Sequence, residues 1–282
     1  PTFAASNRIL FGYTGGKRPE VELLTPLPDS VRRLWQKIPD RDSLNFWFTP
    51  LQADSLVFVL RPPVPDKKAD TFSIKPLDIP EDSLQFSWNI RGEIVPGDSI
   101  LLSSNIPLAA LDTASIRLVD QDTLPVAAAF RLDTLKNRLL LDFEKVPGQG
   151  YSAQLLPGAL KDFFGDTNDT LSTRWSVGSP SDYGTLGMTL EGALSFPLIL
   201  ELENSRGETI RSKVLTEPGE ARFEWLKPDT YRARVIFDAN GNGQWDTGNF
   251  LRREQPEKVV HFPKPIEMRA NWDNREIFSI RE

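Results

Sequence analysis

The stretch Asp42-Ser43-Leu44-Asn45-Phe46-Trp47-Phe48 decides the fold. Its first two residues carry short, oxygen-bearing side chains that bond their own backbone in turns, and the next residue is apolar and enters a sheet. Leu44, Phe46 and Phe48 then fall on alternate positions and share one face of a strand. The same opening, Asp followed by Ser or Thr and an apolar residue, recurs at Asp54-Ser-Leu56, Asp70-Thr-Phe72, Asp82-Ser-Leu84, Asp98-Ser-Ile100, Asp122-Thr-Leu124, Asp133-Thr-Leu135 and Asp169-Thr-Leu171. Most gaps between these units run to roughly 11 to 16 residues, the turn-to-turn rhythm of a β-sandwich.

Outward from that stretch, alternation marks further strands at Ser83-Leu-Gln-Phe-Ser-Trp88, Arg138-Leu-Leu-Leu-Asp-Phe143 and Ala221-Arg-Phe-Glu-Trp225. With 23 Pro and 18 Gly punctuating the chain, few windows hold apolar residues at helical spacing. The expectation is an all-β protein of three small β-sandwich modules in series, covering 1–84, 85–182 and 183–282. One segment fits two descriptions. Pro28-Asp-Ser-Val-Arg-Arg-Leu-Trp-Gln-Lys-Ile38 opens on cap-like residues and sets Val31, Leu34, Trp35 and Ile38 at helical spacing, yet it lies between strand signals and is short enough to be an aromatic-rich strand. The first module is expected to be open on its N-terminal side, because Arg8-Ile-Leu-Phe-Gly-Tyr13 and the Gly15-Gly16 turn suggest a strand whose partner lies upstream. A chain that begins at Pro1 and has only Met188 and Met268 is expected to be a processed or excised piece, with any signal peptide or lipid-bearing cysteine upstream.

Composition bounds the chemistry. At 282 residues there is length for more than one core, and 17 Phe with 7 Trp give the apolar material to build it. The net charge of −6 leaves no basic face for phosphates, which argues against nucleic acid as a partner. The longest apolar runs, Leu56-Val-Phe-Val-Leu60 and Phe196-Pro-Leu-Ile-Leu200, fall well short of the ~20 residues of a membrane-crossing helix. Zero cysteines exclude disulfides, thiolate metal sites and cysteine nucleophiles, a composition suited to an oxidising envelope.

Catalytic patterns are equally sparse. The sole histidine, His261, sits in the strand-like Val259-Val-His-Phe-Pro263, and neither a Gly-x-Ser-x-Gly elbow nor a His-Glu-x-x-His pair occurs. The chain is therefore not expected to be an enzyme, and no catalytic residue is assigned. Trp35, Trp47, Trp88, Trp175, Trp225 and Trp272 mostly fall within strand patterns and are expected in cores. Solvent-exposed tryptophans would instead favour a carbohydrate-binding or adhesion module at the cell surface.

The run most suggestive of chemistry is Asp238-Ala-Asn240-Gly-Asn242-Gly243-Gln244-Trp245-Asp246-Thr-Gly248-Asn249, directly after the strand-like Tyr231-Arg-Ala-Arg-Val-Ile-Phe237. Aligned to a twelve-position calcium loop, Asp238, Asn240 and Asn242 take positions one, three and five, Gln244 the carbonyl position and Asp246 position nine. Position twelve is Asn249, so the bidentate glutamate is missing and a Ca²⁺ site here is weak and structural. The other reading is an Asn-Gly-Asn-Gly turn that satisfies itself, with Trp245 over the neighbouring core.

Two resemblances sharpen the outline. Asn105-Ile-Pro107, Ser115-Ile-Arg-Leu-Val119, Leu139-Leu-Leu141, Gly150-Tyr-Ser-Ala-Gln-Leu155 and Leu160-Lys-Asp162-Phe-Phe-Gly165 together resemble the bacterial Ig-like domain of S-layer and other envelope proteins. Gly184-Thr-Leu-Gly-Met-Thr-Leu190, Leu198-Ile-Leu-Glu-Leu202, Asn204-Ser-Arg-Gly207 and Phe223-Glu-Trp-Leu226-Lys-Pro228-Asp-Thr-Tyr231 resemble the transthyretin-like, carboxypeptidase-regulatory-like sandwich, with Asp229 where that family usually has glycine. The run from Asp238, joined to Glu254-Gln-Pro-Glu257 and Arg269-Ala-Asn-Trp-Asp273, looks like the C-terminal half of Ig-like-domain lipoproteins of Bacteroidota. The resemblance implies an exported envelope protein of the outer membrane, on its periplasmic or surface face, anchored through lipid outside this chain. It implies other envelope or outer-membrane proteins as partners, leaves glycan as a further ligand, and carries no established biochemical activity.

Overall fold

The computed structural model describes residues 2–5, 7–13, 18–38, 41–51, 53–63, 67–75, 83–192, 195–248 and 253–280. The Gly15-Gly16 turn, Asp82 and Asn249 lie outside them. Among the described residues the regular structure is strands and two short 3₁₀ turns, so the all-β expectation holds. Among the same residues no helix is long and apolar enough to cross a membrane. The chain divides into two compact units.

Unit one comprises residues 1–92, 99–144 and 150–175. Its first sandwich has one sheet ordered Thr2–Ala5, Arg8–Gly12, Ser43–Phe48 and Arg33–Lys37, and a second ordered Glu20–Leu23, Leu56–Arg61 and Asp70–Ile74, with every pairing antiparallel. Arg8–Gly12 thus lies between Thr2–Ala5 and Ser43–Phe48, so its partners are already in the chain. The ambiguous segment is a strand, Arg33–Lys37, because pairing with Ser43–Phe48 packs the half-buried Trp35 against Phe46 in a way a short isolated helix cannot. Ile9, Phe11, Leu44, Phe46, Phe48, Leu56 and Phe58 form the core, knitted by edge-on contacts of the Phe58 ring with Phe11 and Phe46.

The second sandwich of this unit has the sheet Ala128–Asp133, Arg138–Phe143, Ile100–Ser104 and Phe86–Trp88. Ile116–Asp120 pairs with Gly150–Leu155, and Leu108–Leu111 with Leu160–Asp162. Trp175 is buried edge-on to Trp88 and donates its indole N–H to Ile90 O at 3.1 Å. In the Leu160-Lys-Asp162-Phe-Phe-Gly165 turn, fully buried Asp162 accepts from Gly165 N at 2.7 Å and Asp166 N at 2.8 Å through one carboxylate oxygen. The other oxygen, Oδ2, is buried without a hydrogen-bond partner. Burial pushes this carboxyl's pKa up, against the pull of the two N–H donors.

Five of the Asp-Ser/Thr units open strands as expected, at Ser43, Leu56, Asp70, Ile100 and Leu171. Asp122-Thr-Leu124 and Asp133-Thr-Leu135 instead make the turns themselves: Asp120 Oδ1 accepts from the N–H groups of Asp122 and Leu124, and Asp133 closes a strand by accepting from Lys136 N. An Asp beside Ser or Thr marks a bonded turn, and neighbouring residues decide on which side of it the strand lies.

Unit two comprises residues 93–98, 145–149 and 176–282. One sheet is ordered Glu220–Leu226, Gly184–Gly192 and Asp273–Ile280, with the last strand parallel to its neighbour. The other is ordered Thr209–Leu215, Leu198–Glu203, Asp229–Phe237 and Val259–His261, and Ile266–Met268 pairs with the start of Asp229–Phe237. Leu186, Met188, Leu200, Phe223, Val235 and Phe278 meet in the core between them. His261 ends a strand with its side chain exposed.

Candidate functional site

The Asp238 loop leaves the sheet at the end of Asp229–Phe237 and returns to it before Val259–His261. Asp238 is 1% exposed, and its carboxylate accepts from Asn242 N at 3.0 Å and Gly243 N at 2.8 Å. Asn240 Oδ1 accepts from Asn242 N at 3.0 Å, and Asn242 Oδ1 accepts from Gln244 N at 2.8 Å. Gly241 and Gly243 have φ of 71° and 74°, the left-handed geometry that an Asn-Gly-Asn-Gly run accommodates. The four sequence-selected side chains, those of Asp238, Asn240, Asn242 and Asp246, are therefore gathered in one polar knot. Gln244 enters it through its backbone N–H.

The amides of the knot are turned toward Asp246. Both Asn240 and Asn242 turn Nδ2 toward Asp246 Oδ2, the second at 2.8 Å, so nitrogen and not oxygen faces that carboxylate. A calcium ion shared with Asp246 requires those two amides to rotate. As arranged, the loop's donors and acceptors meet one another. Among the described residues no group of three His, Cys, Asp or Glu side chains is placed to hold a metal ion.

Glu257 is the member that the spacing did not point to. Its carboxylate accepts from Ala239 N at 2.8 Å and Asp246 N at 3.0 Å, lacing the two ends of the loop. The only sequence signal was its place in Glu254-Gln-Pro-Glu257. Trp245, expected over the core, is 47% exposed and donates its indole N–H to Glu257 O at 3.3 Å. Its neighbours in sequence are tied to the loop, which holds the ring on the rim.

A second constellation lies within unit one, where the two sandwiches join. Trp47 is 2% exposed although it points away from the Phe46 face, because Ile106 and Phe163 cover it. Beside it the buried Gln36 side chain donates to Thr134 O at 3.1 Å, Leu135 O at 3.2 Å and Asn137 Oδ1, and accepts from the Trp47 indole at 3.2 Å. Arg32 donates to Phe164 O at 3.0 Å, with its guanidinium 5.5 Å from the centre of the Phe163 ring. The joint is thus an apolar plug rimmed by these polar contacts.

No family model and no curated protein sequence matches the chain. Solved structures similar to it include an Escherichia coli alpha-2-macroglobulin fragment spanning domains MG0-NIE-MG1, at 10% identity over 65% of this chain and 90% of that one, with a TM-score of 0.29. Another is BcpA, the major pilin subunit of Bacillus cereus, at 9% identity over 97% and 98% of the two chains, with a TM-score of 0.25. A third is dimeric latent PorU from Porphyromonas gingivalis, at 10% identity over 98% of this chain and 29% of that one, with a TM-score of 0.26. Scores this low assign neither family nor activity.

Proposed function

We propose that the chain is a non-catalytic structural or protein–protein interaction module of a bacterial cell-envelope protein, exported and built into an outer-membrane lipoprotein or assembly. The joint at Gln36, Trp47 and Phe163 supports this reading most directly. Sandwiches linked in series move freely unless an apolar, well-packed interface stops them, and here a buried, hydrogen-bonded glutamine fixes the register as well. The product is a stiff spacer, which presents sheet edges and loops at set separations. The envelope setting rests on the Ig-like and regulatory-like sequence motifs.

The experiment is photo-crosslinking in the native cells, with the crosslinker at Arg131 on the edge strand Ala128–Asp133. Capture of outer-membrane or periplasmic proteins is the expected result. Crosslinks confined to cytoplasmic proteins, or turnover of a glycan or peptide by the purified chain, overturn the reading.

A further inference from the structure

Within unit two, Trp225 has a backbone that its side chain does not favour. Gly184 pairs with Leu226 and Leu186 with Phe223, so Glu224 and Trp225 together oppose the single residue Thr185. This is a β-bulge, and Trp225 sits in it at φ 59°, the left-handed region where such bulges usually carry glycine. A bulge re-aims a side chain, and a bulky residue kept in strained geometry points to use. The indole is turned edge-on to Tyr183, at 5.5 Å between ring centres, and half-buried on the wall of an open cleft of about 330 Å³.

The polar lining of that cleft is specific. Arg211 Nη2 and Asp98 Oδ1 stand 3.9 Å apart, too far to bond each other, and neither atom has another hydrogen-bond partner among the described residues. A hydroxyl between them accepts from the guanidinium and donates to the carboxylate at ordinary distances on both sides. Glu93 on the same wall is held by the Tyr183 hydroxyl at 2.6 Å and Lys227 at 3.0 Å, which together lower its pKa. Cations and carboxylates in the cleft are matched, so it offers no net attraction to an ion.

We propose that this cleft binds a neutral saccharide, with an apolar sugar face on the Trp225 indole and a hydroxyl bridging Arg211 and Asp98. The exposed tryptophans are otherwise engaged: Trp272 lies under the Arg269 guanidinium at 4.8 Å, and the Trp245 indole is bonded to Glu257. A proline-rich peptide, the other ligand of aromatic grooves, uses tyrosine hydroxyls as donors. Here both are spent, Tyr183 on Glu93 and Tyr231 on Lys227 O at 2.7 Å.

The test is titration of the ¹⁵N-labelled chain with maltose, cellobiose and lactose, following the Trp225 indole resonance and the backbone amides of Leu226 and Tyr231, which line the same cleft and report in both variants. A saturable shift at about millimolar affinity is expected with at least one, weakened by about tenfold or more in Trp225→Gly and in Arg211→Ala. The glycine variant suits the left-handed backbone, and the arginine variant alters only a partly exposed side chain, so one answers if the other misfolds. An unmoved indole with all three sugars, unchanged affinity in the variants, or a shift produced by a proline-rich peptide instead overturns the assignment. Failure here leaves the spacer reading standing, since that rests on residues of unit one.

Discussion

Asp162 shows how one buried oxygen makes stability depend on pH. Its carboxyl pKa is raised in the fold, chiefly by burial, so the folded chain binds its proton more tightly than the unfolded chain does. The stabilisation is fully present below the ordinary carboxylate value near 4 and is lost as pH rises through the raised one. Asp162→Asn keeps an acceptor for Gly165 and Asp166 but cannot titrate. Thermal melts at pH 7 and about 4 should show the wild type gaining on the variant as pH falls. An equal difference at both pH values refutes the account. The turn was legible from Leu160-Lys-Asp162-Phe-Phe-Gly165, whereas the unpartnered oxygen was not, because sequence records what a side chain is and not what its second atom meets.

At the scale of elements, strand Ser43–Phe48 illustrates both what sequence carries and what it omits. Its alternation places Leu44, Phe46 and Phe48 on one face, as read. Yet its other face is covered too, with Asn45 and Trp47 buried, because a second sandwich sits on it. Period-two patterning reports one covered face and is silent about a later partner. Trp225 is similar: it completes an ordinary alternating pattern, and only the register across Gly184–Gly192 exposes the bulge. In the Asp238 loop the spacing picks out Asp238, Asn240, Asn242 and Asp246, which lie together, but not Glu257 or the direction in which the amides turn. Calorimetry with Ca²⁺ on the chain and on Asp238→Ala is expected to give matching flat traces. The variant should also melt lower by about 2 kcal/mol, since a buried carboxylate with two backbone donors is removed. Saturable heat confined to the wild type restores the loop as a cation site.

At the largest scale, the joint within unit one ties two sandwiches together. Gln36→Ala leaves Thr134 O and Leu135 O without their donor and opens space beside Trp47. It should cost about 2 kcal/mol and split the melting of unit one into two transitions, seen by calorimetry on the full chain. A single unshifted transition contradicts a stiff joint. The all-β class could be read from Asp-Ser/Thr turns and alternation, whereas the joint depends on residues about a hundred positions apart, which no local pattern connects.

The parallel pairing of Gly184–Gly192 with Asp273–Ile280 has a mechanical meaning. Eight residue pairs run from Thr185 with Asp273 to Gly192 with Ile280. Tension that enters at Gly184 and leaves at Ile280 pulls these strands in opposite directions along their length. The ladder is then loaded in shear, with its bonds sharing the force together instead of parting one after another as in a zipper. A sandwich fastened this way resists stretching along this axis until the whole final strand slides free.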